Sequence, residues 1–221
     1  MLIYSMSVAA DGFIADREGA FGWTAPSYPP GTRDGRTGRM RKLIVWNVMT
    51  LDGYFEGPTA WDLDMHGTVW GDELEAFSLE QGEEIGTLLF GRRTYEGMAA
   101  HWTQETGDIA DMMNGIEKAV ASRTLESADW NNTRLLSGEA TESVKALKAE
   151  DGKDVFIFGS AELVGALLAV GLVDEYRVCL APVVLGTGNP LFKPGSPRRD
   201  LDLLESRPLK TGGVLLRYGV R

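Results

Sequence analysis

The sequence predicts a three-layer α/β fold, a mainly parallel sheet with helices on both faces, and three observations carry that expectation. Short apolar runs rich in β-branched and aromatic residues alternate with segments of helical periodicity, the order a parallel sheet with crossover helices requires. Two of these runs, 87–90 and 155–158, are dense apolar stretches that break at Gly91 and Gly159, as short buried strands do. Apolar types make up 43% of 221 residues and charged types 24%, values that supply a sizeable core and exclude disorder, collagen and coiled coil.

The elements follow in order. Residues 43–49 are the first strand of the main domain. Segment 72–84 places Leu74, Phe77 and Leu79 among acids and reads as a short amphipathic helix. The strand 87–90 ends at Gly91, and 94–100 restarts as helix with Thr94 positioned to cap it. Short strands are expected at 119–122 and 134–137. A helix follows over 139–149, with Val144 and Leu147 facing inward and Gly152 just past its end. After the strand 155–158 comes a helix over 162–170 with Gly171 at its C-terminal cap, and strands at 175–184 and 214–218 complete the sheet.

Upstream of these elements the chain echoes itself. Residues 2–14 and 43–55 both read as an apolar strand, an Asp-Gly turn (Asp11-Gly12, Asp52-Gly53) and an aromatic re-entry. Between them, 26–39 is rich in Pro, Gly, Thr and Arg and reads as linker, and Met40 resembles a second chain start. The chain therefore divides into a leader, 1–39, and a domain, 40–221. The leader holds none of the later motifs, so it reads as a fusion relic, an upstream start or an added edge strand rather than a second domain.

A formal net charge of -10 excludes a general nucleic-acid binder, which needs a positive surface. The single cysteine, Cys179, cannot form an internal disulfide, which suits a reducing compartment. The longest apolar stretch, 163–173, is interrupted by Gly165 and Gly171 and falls short of the roughly 20 residues a membrane span needs. With no export signal, a cytoplasmic protein is expected.

Three strand ends could carry chemistry. Gly91-Arg92-Arg93-Thr94 follows a buried strand and opens a helix, where unsatisfied N–H groups and guanidinium groups together suit a phosphate. Ser122-Arg123 ends the next short strand. Gly159-Ser160-Ala161-Glu162-Leu163 passes from strand to helix through small residues that let a phosphate approach the backbone, without the full dinucleotide-binding glycine spacing. Arg92, Arg93 and Arg123 at the ends of parallel strands would make one positive pocket in an acidic protein, fit for a ligand with several anionic groups. The remaining conspicuous residues read as structural. His66 and His101 are too few for a metal site. Trp61, Trp70 and Trp102 suit core packing or a cleft wall. Cys179 has no evident base, and Ser160 lacks a nucleophile-elbow frame.

Phe90 to Glu96, Ser122-Arg123 and Phe158 to Ala161, in this order, resemble the dihydrofolate reductase superfamily, and Leu172 to Tyr176 with Ala181 to Gly188, and Thr50 to Tyr54, strengthen the match. The likeness is to the branch of the riboflavin-biosynthesis reductase domain and its stand-alone relatives, and it covers nearly all of 40–221. The resemblance implies a dihydrofolate-reductase-like sheet with an antiparallel C-terminal strand, and NADPH-dependent reduction of a small pterin-like or flavin-precursor-like heterocycle. It implies that Gly91, Arg92, Arg93 and Thr94 bind the cofactor, the last three holding its phosphates. Ser122 and Arg123 would take the 2′-phosphate and adenine side, Gly159, Ser160, Ala161, Glu162 and Leu163 the pyrophosphate, and Asp52 the nicotinamide end. Glu75, on the helix before the Gly-Arg motif, is the carboxylate nearest the place of a proton donor. Asn47 and Tyr176 are candidates to face the substrate. The relatives imply a homodimer. A second reading is a catalytically silent dinucleotide-binding or dimerisation module of the same fold.

Overall fold

A computed structural model describes residues 40–221, and the readings made for the leader lie outside the described residues. The elements run β1 (Leu43–Thr50), β2 (Tyr54–Glu56), α1 (Asp72–Gly82), β3 (Ile85–Gly91), α2 (Arg92–Trp102), α3 (Asp108–Gly115), β4 (Glu117–Ala121) and β5 (Thr133–Leu136). They continue with α4 (Ala140–Ala149), β6 (Asp154–Phe158), α5 (Ala161–Ala169), β7 (Glu175–Ala181), β8 (Asn189–Pro190), β9 (Leu201–Pro208) and β10 (Val214–Val220). The main sheet has the order β5-β4-β3-β6-β1-β7-β10-β9, parallel from β5 through β7, with β10 antiparallel to β7 and β9 antiparallel to β10. A two-stranded ribbon, β2 with β8, stands apart.

Alternation along the strands sorts the chain into layers. Leu43, Val45 and Met49 of β1 join Val155 and Ile157 of β6 against Val144 and Leu147 of α4 and Val164 and Leu167 of α5. The intervening Ile44, with Phe90 and Phe156, packs on the other face with Tyr95 of α2, Met113 of α3 and Trp130. Leu74 and Phe77 of α1 close a third cluster with Val48, Cys179 and Leu215. The helix α5 ends as expected at Gly171, whose φ of +71° accompanies paired bonds from Gly171 N–H to Leu168 O (3.1 Å) and Leu172 N–H to Leu167 O (3.0 Å). Among the described residues no helix is long and apolar enough to cross a membrane.

Several elements differ from the expectation. The strand expected over 175–184 stops at Ala181, because Pro182 has no N–H for the ladder. Helix α3 was not legible: it is eight residues long and starts after Gly107, which has φ +102°. Strand β9 was not legible either, since it forms the sheet edge and leaves Leu203 and Leu204 exposed instead of showing a buried stripe.

A buried ion network pins the middle of the sheet. Arg177 and Glu175, 2% and 1% exposed, meet at 2.8 Å. Arg177 also reaches Glu84 at the end of α1 (2.6 Å), while Glu175 takes Lys42 (3.0 Å) and Arg217 (3.0 Å). Burial alone pushes the Glu175 carboxyl up, but Arg177, Lys42 and Arg217 outweigh it and hold the carboxyl below its ordinary range. Removing one member strands the opposite charges, so Glu175→Gln is expected to lower stability by about 3 kcal/mol in urea unfolding. Because the folded-state value is the lower one, this contribution is present above the unfolded carboxyl pKa of about 4.3 and is lost as pH falls through the folded value. The thermal midpoint of the parent protein should therefore drop more steeply below that pH than the variant's.

Candidate active site

The carboxyl ends of β3, β6 and β1, neighbours in the sheet, open onto one cavity of about 400 Å³. Its construction starts with two direct passages from strand to helix. At the first, Gly91 ends β3 in extended conformation and is also the N-cap of α2. The helix thus begins at Arg92, and the expectation that Thr94 caps it is corrected. Thr94 lies in the first turn, and no side chain caps α2.

At the second, Gly159 (φ +67°) and Ser160 (φ +58°) both turn left-handed before α5. Glycine does this freely; serine does it at a cost that local bonds offset. The Ser160 Oγ accepts the Gly91 N–H at 3.1 Å, and the Asn47 Oδ1 accepts the Gly159 N–H at 3.1 Å. Two side chains thereby tie the ends of β1, β6 and β3 together. A Cβ on Gly159 would press on the Thr94 methyl at 3.4 Å, so α2 and α5 start close to one another. Neither start has a side-chain cap, and Gly91, Arg92, Arg93 and Thr94 line the same cavity as Gly159, Ser160, Ala161, Glu162 and Leu163. Two sets of orphan N–H groups and two positive dipole ends share the space.

The cations lie along this edge. Arg92 is exposed and donates to Glu96 (2.7 Å) and to the Thr124 hydroxyl (2.9 Å). Arg93 is exposed, and its guanidinium makes no hydrogen bond or ion pair with the described residues. Ser122 and Arg123 follow β4, whose Ala121 is in register with Gly91, so they stand one strand further along the same edge. They do not line the cavity: Ser122 Oγ accepts the N–H groups of Thr124 (3.2 Å) and Leu125 (3.0 Å), and Arg123 is exposed. The Glu162 side chain also points outward, 3.4 Å from Lys193.

Three expected residues stand elsewhere. Glu75 is exposed on α1, whose cavity face is Leu74, Ser78 and Gln81; the helical turn carries Glu75 off that face. Tyr176 is buried in the core against Phe192, ring centroids 5.5 Å apart, and its hydroxyl has no partner; burial raises its pKa. Asp52 holds a loop instead of facing the cavity, accepting from the Thr50 hydroxyl (2.6 Å) and the N–H groups of Gly186 (2.7 Å) and Leu185 (3.1 Å). Burial pushes the Asp52 carboxyl up, but those donors prevail and leave it below the ordinary value. Asn47 does line the cavity, 6% exposed, with its Nδ2 unpartnered.

The structure adds residues that the sequence reading left out. Glu56, from the β2 ribbon, lines the cavity with both oxygens engaged: one accepts the Trp61 N–H (2.7 Å), the other Asn189 Nδ2 (2.7 Å). His66 lines it as well, and burial lowers its imidazole pKa to about 4, which leaves it neutral at pH 7. Trp61, Trp70 and Trp102 form part of the wall, the cleft-wall alternative for these residues. Only the local density of tryptophan signalled this in the sequence.

Sheet order, the two capless helix starts and their position beyond parallel strands define a dihydrofolate-reductase-like α/β domain. The chain belongs to the RibD C-terminal domain family, whose model matches residues 41–215. Among curated proteins it is similar to the uncharacterized protein YyaP of Bacillus subtilis, with 30% identity covering 81% of this chain and 95% of that one. Among solved structures it is similar to a putative riboflavin biosynthesis protein from Shewanella sp. PV-4 (TM-score 0.66, 19% identity, 81% of this chain and 99% of that one). It is also similar to dihydrofolate reductase from Enterococcus faecalis complexed with NADP(H) (TM-score 0.54, 14% identity, 81% of this chain and 96% of that one).

Ser160→Ala tests the tie between the two helix starts. It leaves the Gly91 N–H without its acceptor and is expected to cost about 1–2 kcal/mol in urea unfolding. Amide exchange at Gly91 should quicken with it.

Proposed function

We propose that the protein is an NADPH-dependent reductase of a small conjugated heterocycle, working by hydride transfer. The observation that carries this reading is the meeting of two uncapped helix N-termini with Arg92 and Arg93 at one cavity beyond parallel strands. The residues fit such a cofactor on physical grounds. Gly159 supplies the positive φ of the strand-to-helix passage, and left-handed Ser160 leaves the following amides without a capping side chain.

Arg92, Arg93, Thr94 and the amides of Ala161, Glu162 and Leu163 would hold phosphates, with Gly159 and Ser160 shaping the approach. Ser122 and Arg123, one strand further along the edge, would take the 2′-phosphate and adenine side. Bound NADPH supplies the hydride. The chain's own part is to bind, orient and exclude water: Asn47 lines the cavity with its Nδ2 unpartnered among the described residues, and Asp52 fixes the loop beside β1 as a positioning residue. Glu75 is not proposed as the proton donor, since it faces solvent. The protein would act as a homodimer, which sedimentation tests.

The alternative, a silent dinucleotide-binding module, is favoured by one feature: the cavity face of α1 offers Leu74, Ser78 and Gln81 and no carboxylate. Turnover separates the two readings, because both predict binding.

Titration of the protein with NADPH, followed by nicotinamide fluorescence, is expected to give a Kd about tenfold or more below that for NADH. Arg123→Ala should remove most of that preference and Arg93→Ala should weaken both nucleotides. No saturable binding of either nucleotide would end the proposal.

A further inference from the structure

We propose that the part of the cavity away from the two helix starts takes an uncharged, flat, conjugated ring bearing a hydrogen-bond acceptor and neither a phosphate nor a carboxylate tail. Assigning this half to substrate rests on the reductase reading above; the chemistry of its walls does not. Among the described residues, the ionisable members of the cavity wall are Glu56, His66, Arg92, Arg93 and Glu162. The two arginines and Glu162 belong to the starts of α2 and α5, which leaves Glu56 and His66 for the rest. Glu56 has both oxygens occupied by Trp61 N–H and Asn189 Nδ2, and His66 is neutral at pH 7. An anionic tail placed here would meet no arginine or lysine among the described residues, and an unpaired buried charge is costly. A basic amidine edge would meet no free carboxylate.

What the half does offer is aromatic and soft. Trp46, Trp70, Trp102, Met98 and Met112 supply wall, and Trp61 is fixed as part of it. Trp61 has φ +65°, an uncommon conformation for a bulky residue, and such strain persists only where its surroundings impose it. Here the Glu56 carboxylate holds its N–H, and its indole lies on Gly97 of α2, where any Cβ would overlap the six-membered ring. A glycine, an ion–amide bond and a left-handed residue thus combine to place one indole. One buried donor of the half without a partner among the described residues is Asn47 Nδ2, on a side chain that is 6% exposed and oriented by the bond from the Gly159 N–H to its Oδ1. A ring carbonyl or ring nitrogen is its natural acceptor.

The test compares ligands with related flat heterocyclic rings and different tails. Lumichrome is flat and neutral; riboflavin 5′-phosphate carries a phosphate on a related ring; dihydrofolate carries carboxylates and a 2-amino-4-oxo donor edge. Each is titrated into the full chain by calorimetry, with and without NADP⁺, and the nucleotide is titrated separately. Lumichrome is expected to bind about tenfold or more tightly than the other two. Trp61→Ala, an exposed loop position, and Gly97→Ala, which evicts the same indole from a helix that alanine favours, are each expected to weaken lumichrome about tenfold while leaving NADP⁺ affinity unchanged. Equal or tighter binding of either charged ligand, no lumichrome binding, or indifference to both variants overturns the proposal. Loss of nucleotide binding with the lumichrome pattern intact would overturn the reductase reading and uphold this one.

Discussion

The site depends on the bond from the Gly91 N–H to the Ser160 Oγ and on the left-handed pair Gly159-Ser160 that makes it possible. Parallel strands end in register, but that alone does not bring two helix starts together. Here the chain leaves β6 through two residues of positive φ, and the second sends its hydroxyl sideways to the end of β3. Asn47 performs the matching task from β1 by accepting the Gly159 N–H. Had Ser160 turned back to cap α5 in the usual way, it would have satisfied the amides that now line the cavity. The site is open to an anion because its capping residue serves a neighbouring strand.

From that tie the cavity divides by charge. At one edge stand two dipole ends and the guanidinium groups of Arg92 and Arg93, in a protein whose formal net charge is -10. The opposite walls are aromatic, with the single carboxylate there committed to Trp61 and Asn189. A long ligand lying across the strand ends would place its anionic part at β3 and β4 and its uncharged part near β1. The buried ions Glu175 and Arg177 stiffen the sheet beneath, and the contact from Arg177 Nη1 to Gln81 (3.4 Å) links them to the cavity face of α1.

Much of the frame was legible in the sequence. Dense Val, Ile, Leu and Phe runs marked β3 and β6 as strands covered on both faces, and glycine at their ends marked where the chain would turn toward a ligand. The positions of Arg92, Arg93, Gly159 and Asn47 on the cavity wall follow from adjacency to those ends. Other parts depend on phase or on space. Glu75 and Ser78 lie three residues apart on one helix, and only packing decides which faces the cavity; acids along α1 gave no periodicity to choose by. Tyr176 sits on a strand buried on both faces, so alternation could not say which face carries a site. Glu56, Trp61 and His66 come from the ribbon and loops between β1 and α1, which have no repeat to read, and only the folded chain brings them to one wall.

The two helix starts joined through Ser160 are proposed to receive the anionic part of a nucleotide. Backbone amide shifts of the nitrogen-15 labelled protein during titration with NADP⁺ address this directly. Saturable shifts are expected at Gly91 to Thr94 and at Ala161 to Leu163 with a common Kd, while amides of β9 stay still. Shifts confined to other surfaces, or a response from one helix start without the other, would contradict the proposal.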